Sequence, residues 1–328
     1  MSHEIHEHDS LLCVGETPWH GLGLVVDTPP ESAAEALEMA KIDWEVEKQP
    51  IYDRNQQPVA VNTGTKRNEG LWGITVRKDL PEDNPDRILG VVGPKYVPFQ
   101  NSQMAQLFEP LVKEGKITIE TCGSLFNGKR VWMLGRFGED TVIDRKDVVR
   151  KHLLFSHGHD GSFAARIGFT PTRVVCWNTL SAAVYDGESK LVRCLHTANL
   201  ENNLRTLRDT MNAAEETFEM TAEEYRKLTK KGVSRADLNE YARILIDADE
   251  DPQKWTFRQK EKMVAIVSNA IEGRGNNGST WWDAYNGVTE YITWQACRTP
   301  DTRLSEAWFG KGMDLNNTAL KLAVEMSA

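Results

Sequence analysis

This chain lacks most of the signatures that assign a function quickly. No apolar run approaches the roughly 18 residues that cross a bilayer, so no membrane span is expected. The opening MSHEIHEHDS is acidic and rich in histidine, without the cationic-then-apolar order of a secretory leader. Cys13, Cys122, Cys176, Cys194 and Cys297 are scattered, odd in number and form no C-x-x-C pair. That usage fits buried thiols in a reducing cytoplasm rather than a disulfide frame. There is no G-x-S-x-G nucleophile elbow, no G-x-x-x-x-G-K-[ST] phosphate loop, no internal repeat and no low-complexity linker. No cofactor or bound metal is expected, and the balance leans away from an enzyme.

What remains is a 328-residue chain, 40% hydrophobic and 27% charged, with a net charge of -9. This composition is that of a soluble globular protein with one large or two ordinary domains. The charge is unevenly spread. Residues 1–60 hold 12 Asp+Glu against 3 Lys+Arg, a balance of -9, so the rest sums to neutral. From Lys129 to Arg208 there are 13 Lys+Arg against 8 Asp+Glu, a balance of +5. A local basic surface can engage phosphates on an acidic molecule, or it can be a solvated face balanced by neighbouring carboxylates.

The periodicities predict an α+β fold: an antiparallel, hairpin-rich N-terminal domain with packed helices over 1–198, then a mostly helical C-terminal region over 199–328. Residues 1–30 read as irregular. Ser32 with Glu35 forms a capping-box pattern before a short helix. Strands are expected at 44–46 and 51–52, 71–76 and 88–92, and a helix at 102–113 that Pro110 ends or kinks. Residues 117–137 read as a hairpin turning at Asn127-Gly128, since that dipeptide suits positive φ. A second hairpin pairs 151–156 with 163–169 around Asp160-Gly161, and Thr170-Pro171 then opens a helix. Leu200, Leu204, Leu207, Met211, Ala214 and Phe218 make a heptad seam, within the chain or between copies in a homo-oligomer. Thr221 with Glu224 and Thr256 with Gln259 are further capping boxes, in a series of helices near 222–231, 235–247, 257–271, 280–296 and 315–327.

Several residue groups carry possible chemistry. His157, His159 and Asp160 suggest zinc or iron ligation, weighed against a turn with exposed histidines. His3, His6 and His8 read as a mobile polar end, and Trp19-His20-Gly21 as a loop plugging the sheet. Cys176 and His196 can pair as nucleophile and base, although nothing orients them. The segment 273–294 resembles a phosphate cradle in outline, but Trp281, Tyr285, Val288 and Ile292 read as a core face. Arg173 and Trp177, four apart, can stack as cation on indole if helical. With Arg130, Arg145, Lys146, Arg150, Lys151 and Arg166 they supply what an unpaired strand needs, cations for phosphates and a ring for base faces.

Blocks along nearly the whole length carry a resemblance. They include Gly15-Glu16-Thr17-Pro18-Trp19-His20-Gly21, His159-Asp160-Gly161-Ser162, Arg173-Val174-Val175-Cys176 with Asn178-Thr179-Leu180, and Tyr285-Asn286 with Thr289-Glu290-Tyr291. The chain resembles an uncharacterised phage/plasmid-like protein family, a domain of unknown function. The resemblance implies a cytoplasmic protein of a mobile element and supplies no catalytic residues. The expected function is single-stranded DNA binding or strand annealing in replication or recombination. The alternatives are an anti-defence or host-takeover factor that binds a host protein, and a metal-dependent hydrolase.

Overall fold

The computed structural model describes residues 7–15, 23–61, 70–144, 147–173, 178–179, 192–193, 209, 218–296 and 311–328. The chain begins with β1 (Leu11–Val14), β2 (Leu24–Val26), α1 (Ala33–Met39), β3 (Val46–Pro50), β4 (Ala60–Val61), β5 (Gly70–Leu71), β6 (Gly73–Arg77) and β7 (Ile88–Val92). It continues with α2 (Asn101–Lys113), β8 (Ile117–Leu125), β9 (Arg130–Phe137), β10 (Thr141–Asp144), β11 (Asp147–Gly158), β12 (Arg166–Arg173), β13 (Asn178–Thr179) and β14 (Val192–Arg193). Helices follow: α3 (218–230), α4 (Arg235–Leu245), α5 (Phe257–Glu272), α6 (Trp281–Trp294) and α7 (Lys311–Ser327). The fold is α+β, with sheets first and helices after.

The main sheet runs β13-β12-β11-β9-β8-β1-β2, with β10 also on β11 and β14 also on β12. Strand alternation divides its two faces. Val131, Met133, Leu153, Phe155 and Ile167 point to one side, where α1 and α2 supply Leu37, Met104, Leu107 and Phe108. Trp132, Leu134 and Leu154 point to the other, with Leu11 and Leu125. A second core joins Ile143 and Val149 at the sheet's end to Phe218, Tyr225, Tyr241, Trp281, Trp282 and Tyr285 of the helices. The sheet thus contributes to both major cores.

Local signals explain most boundaries. Ser32 caps α1 by accepting from Glu35 N, and Thr256 with Gln259 closes a full capping box on α5. Pro110 sits in the last turn of α2, where its missing N–H ends little, and the helix reaches Lys113. The 126–129 turn holds Phe126, Asn127 and Gly128 at positive φ, so the left-handed stretch is wider than Asn-Gly alone.

Four expectations are corrected. The supposedly irregular N-terminus contains β1 and β2, because β8 offers β1 a partner more than 100 residues away. Thr170-Pro171 opens no helix: both lie within β12, paired with His152 and Lys151 of β11. An eight-pair ladder outweighs one local cap signal. Thr221 is buried inside α3 rather than capping it, because the helix already runs from residue 218. The first strand of the small sheet ends at Pro50, and Tyr52 makes only an isolated bridge to Pro58. Most of the heptad seam, and the 198/199 boundary, lie outside the described residues.

A three-stranded sheet, β3-β6-β7, clasps the tip of the β11–β12 hairpin. A Cβ on Gly90 would stand 2.6 Å from Asp160 Cα and 2.7 Å from its carbonyl oxygen. Gly90→Ala is therefore expected to cost about 1–3 kcal/mol, read as a lower midpoint in urea unfolding. An unchanged midpoint would mean that the small sheet does not grip the tip.

Candidate functional site

The hairpin tip, residues 156–166, is built from the inside outward. His157 and His159 are fully buried, not exposed turn residues as one alternative held. Their rings pack edge to face at 4.7 Å, against Phe99 and Trp44 respectively. His159 Nε2 meets Asn101 Oδ1 at 3.0 Å, while the Asn101 amide donates to the Ile42 and Trp44 carbonyls. The His159 carbonyl accepts from Thr75 Oγ1 at 2.6 Å, and the Gly158 carbonyl accepts from the Tyr96 hydroxyl at 3.0 Å. Burial, and then the charge of Asp160, pushes Tyr96 up to about 12. H-x-H-D is thus a latch between sheet, α2 and small sheet. Among the described residues no group of three His, Cys, Asp or Glu side chains is placed to hold a metal.

Outside the latch the tip becomes cationic and aromatic. Arg130 Nη1 donates to Asp160 Oδ1 at 2.7 Å, and its Nη2 to Ser162 Oγ at 2.7 Å. Burial alone would raise the Asp160 carboxyl. The Arg130 hydrogen bond and charge, with Ser162, hold it below the ordinary range. The guanidinium carbons of Arg130 and Arg166 both lie over the Phe163 ring, at 4.7 and 4.6 Å. Arg166 pairs in register with Arg193 on β14. Phe163 is half-buried, between the exposed Ser162 and the latch.

Of the eight residues singled out in the sequence, two, Arg130 and Arg166, meet here. Arg150 lies at the far end of β11, 3.8 Å from Glu120 and 3.6 Å from Asp140. Lys151 is buried on the opposite face, its ammonium 5.9 Å from the Phe218 ring. Arg173 stands in β12, so the expected helical four-residue spacing to Trp177 does not hold from its side; a strand advances about 3.3 Å per residue, not 1.5. Arg145, Lys146, Trp177 and the Arg173 side chain lie outside the described residues, as do Cys176, His196, His3, His6 and Trp19-His20-Gly21. His8 is anchored rather than mobile: its ring lies 3.6 Å from Asp86 and its carbonyl accepts from Arg77. Sequence reasoning missed Phe163. Its signal was present, an aromatic beside a glycine turn and three residues before an arginine.

The 273–280 loop makes no phosphate cradle. Asp283 caps α6 from within, accepting from Ser279 N and Thr280 N at 3.1 and 3.0 Å. The amides an anion would seek already have a carboxylate. Trp281, Tyr285, Val288 and Ile292 are buried, the core face their spacing predicts.

A separate ionic group lies on the sheet face that carries Leu154. Glu120 is the extra residue of a β-bulge in β8. Its Oε2 meets His152 Nε2 at 2.8 Å across β9, and Oε1 lies 3.9 Å from Arg136. Asp140 lies 2.8 Å from Arg136. Burial would raise Glu120, but the His152 hydrogen bond and charge, then Arg150 and Arg136, bring it below the ordinary range.

No described helix is long and apolar enough to cross a membrane. A family model described as "Domain of unknown function (DUF932)" matches residues 88–308. No curated protein and no solved structure matches the chain.

Proposed function

We propose, for a chain that belongs to the DUF932 family, that it binds single-stranded DNA through the tip of the β11–β12 hairpin. The observation that carries this reading is the pair of guanidinium groups over the Phe163 ring. Phenyl and guanidinium planes both stack on unpaired bases, and the guanidinium edges reach phosphates. The Asp160 carboxylate orients Arg130 and neutralises part of its charge. The mobile-element setting, the cytoplasmic location and a role in strand annealing during replication or recombination belong to the same proposal. They rest on the resemblance described above.

The test is fluorescence anisotropy with a labelled unpaired oligonucleotide over a salt series. Phe163→Ala is expected to weaken binding by about 1–3 kcal/mol, the range of one base–ring stack. Arg166→Ala should weaken it too and flatten the log–log salt slope by about 0.7, one phosphate contact on a single strand. Affinity unchanged in both variants would defeat the reading.

One observation favours a protein partner instead. Phe257 and Val264, seven residues apart on α5, are 75% and 69% exposed. If DNA binding is absent or indifferent to salt, a protein-binding factor becomes the better reading.

A further inference from the structure

The hairpin tip carries an acid where its proposed ligand needs a cation. Asp160 Oδ1 accepts from Arg130 Nη1 at 2.7 Å, from Ser162 N at 3.0 Å and from Ser162 Oγ at 3.1 Å. Oδ2 lies 3.0 Å from the same hydroxyl, which in turn accepts from Arg130 Nη2 at 2.7 Å. One guanidinium, one backbone N–H and one hydroxyl thus converge on a group with two oxygens and a single negative charge. A backbone phosphodiester has the same outline, two non-bridging oxygens that share one charge. Proteins bind it with the same donors: arginine, serine hydroxyl and main-chain N–H.

The cluster lies within reach of a ligand. The Arg130 and Asp160 side chains are partly open to solvent, and Ser162 is exposed. The main chain beneath is held. Gly90 leaves room for the Asp160 Cα and for little more, and the His159 carbonyl takes the Thr75 hydroxyl. The carboxylate therefore leaves Arg130 by turning about its own side-chain bonds while the backbone stays on the small sheet. A strand phosphate that takes its place exchanges one charge-assisted bond to Arg130 for another. Arg130 then adds little net affinity while the acid is present, and adds a whole contact once the acid is removed.

We propose that Asp160 is a built-in competitor of the strand: its carboxylate occupies the place of a backbone phosphate on Arg130 and Ser162, and binding displaces it. That role rests on the reading of the tip as a single-strand site. Anisotropy of a labelled unpaired oligonucleotide with the full chain tests it. Asp160→Asn keeps an acceptor for Ser162 N, and so the turn, but removes the charge. It is expected to tighten binding about tenfold, the scale of one hydrogen bond to a charged group. The log–log salt slope should steepen by about 0.7, one further phosphate contact on a single strand. Asp160→Ser also keeps an oxygen for the turn without the charge, and should tighten binding likewise. Asp160→Glu keeps the charge and should not. On an Arg130→Ala background, Asp160→Asn should lose most of its gain, because no guanidinium is left to withhold. Wild-type binding that neither Asp160→Asn nor Asp160→Ser tightens would overturn the competition and leave the single-strand reading standing. So would an equal gain on the Arg130→Ala background, which would mark a diffuse field effect. No binding by wild type and both uncharged variants would defeat the single-strand reading itself, and the competition with it.

Discussion

Asn101→Ala is expected to cost about 3–5 kcal/mol of stability, because three buried groups lose their partner together. Asn101 is fully buried at the start of α2. Its amide nitrogen serves the Ile42 carbonyl at 2.8 Å and the Trp44 carbonyl at 3.3 Å, and its oxygen takes the His159 ring at 3.0 Å. Those contacts fix the amide orientation and hence the imidazole tautomer, with the proton on Nε2. Alanine leaves two carbonyls and one N–H in a site that water does not reach. Against a typical net stability of roughly 5–15 kcal/mol, that is a large fraction. Urea unfolding of Asn101→Ala beside wild type measures it. A loss below about 1 kcal/mol would show that neighbours or entering water fill the gap. The tip should suffer as well, since Phe163 and Arg130 rest on the latch.

Trp282→Ala should cost about 3–5 kcal/mol, the range for removing a buried tryptophan. Trp282 is 3% exposed and packs on Tyr225 and Tyr285, with ring centroids 4.9 and 5.9 Å apart. Its indole N–H donates to Asp147 Oδ2 at 2.7 Å, tying α6 to the first residue of β11. Trp282→Phe keeps most of the ring and loses the bond, so about 1–2 kcal/mol of the cost should remain. Because Ile143 and Val149 belong to the same core as the helices, the Ala variant should lower one shared transition seen by both near- and far-ultraviolet circular dichroism. Two separated transitions, with the first alone shifted, would mean that the helical half unfolds without the sheet.

What could be read from residues alone was whatever local chemistry decides. The β8–β9 hairpin, the capped start of α5 and the stripe on α6 each rest on spacings of a few residues, and each is present. What escaped depends on distant partners. β1 is a strand because β8 lies beside it, and nothing in LLCV announces that. Thr170-Pro171 carries a genuine helix-start signal that the β11 ladder overrides. His157 and His159 look polar and turn-like in the sequence; they are buried because the small sheet closes over the tip. The candidate site was half legible for the same reason. Arg130 and Arg166 were picked out by charge, but their convergence on Phe163 needed the strand register. Arg150 looked equally available until Glu120 and Asp140 were found beside it.

The Asp9 carboxylate accepts from Asn127 N and Gly128 N, each at 2.8 Å, and from the Ser124 hydroxyl at 2.7 Å. These bonds join groups 118 and 119 residues apart. The consequence is one of timing. A β-hairpin such as β8–β9 closes within roughly 1–10 μs, whereas the carboxylate that seals its turn arrives only when a very large ring of chain has shut. During refolding, the 127 and 128 amides should therefore stay open to deuterium long after the hairpin's own ladder is protected.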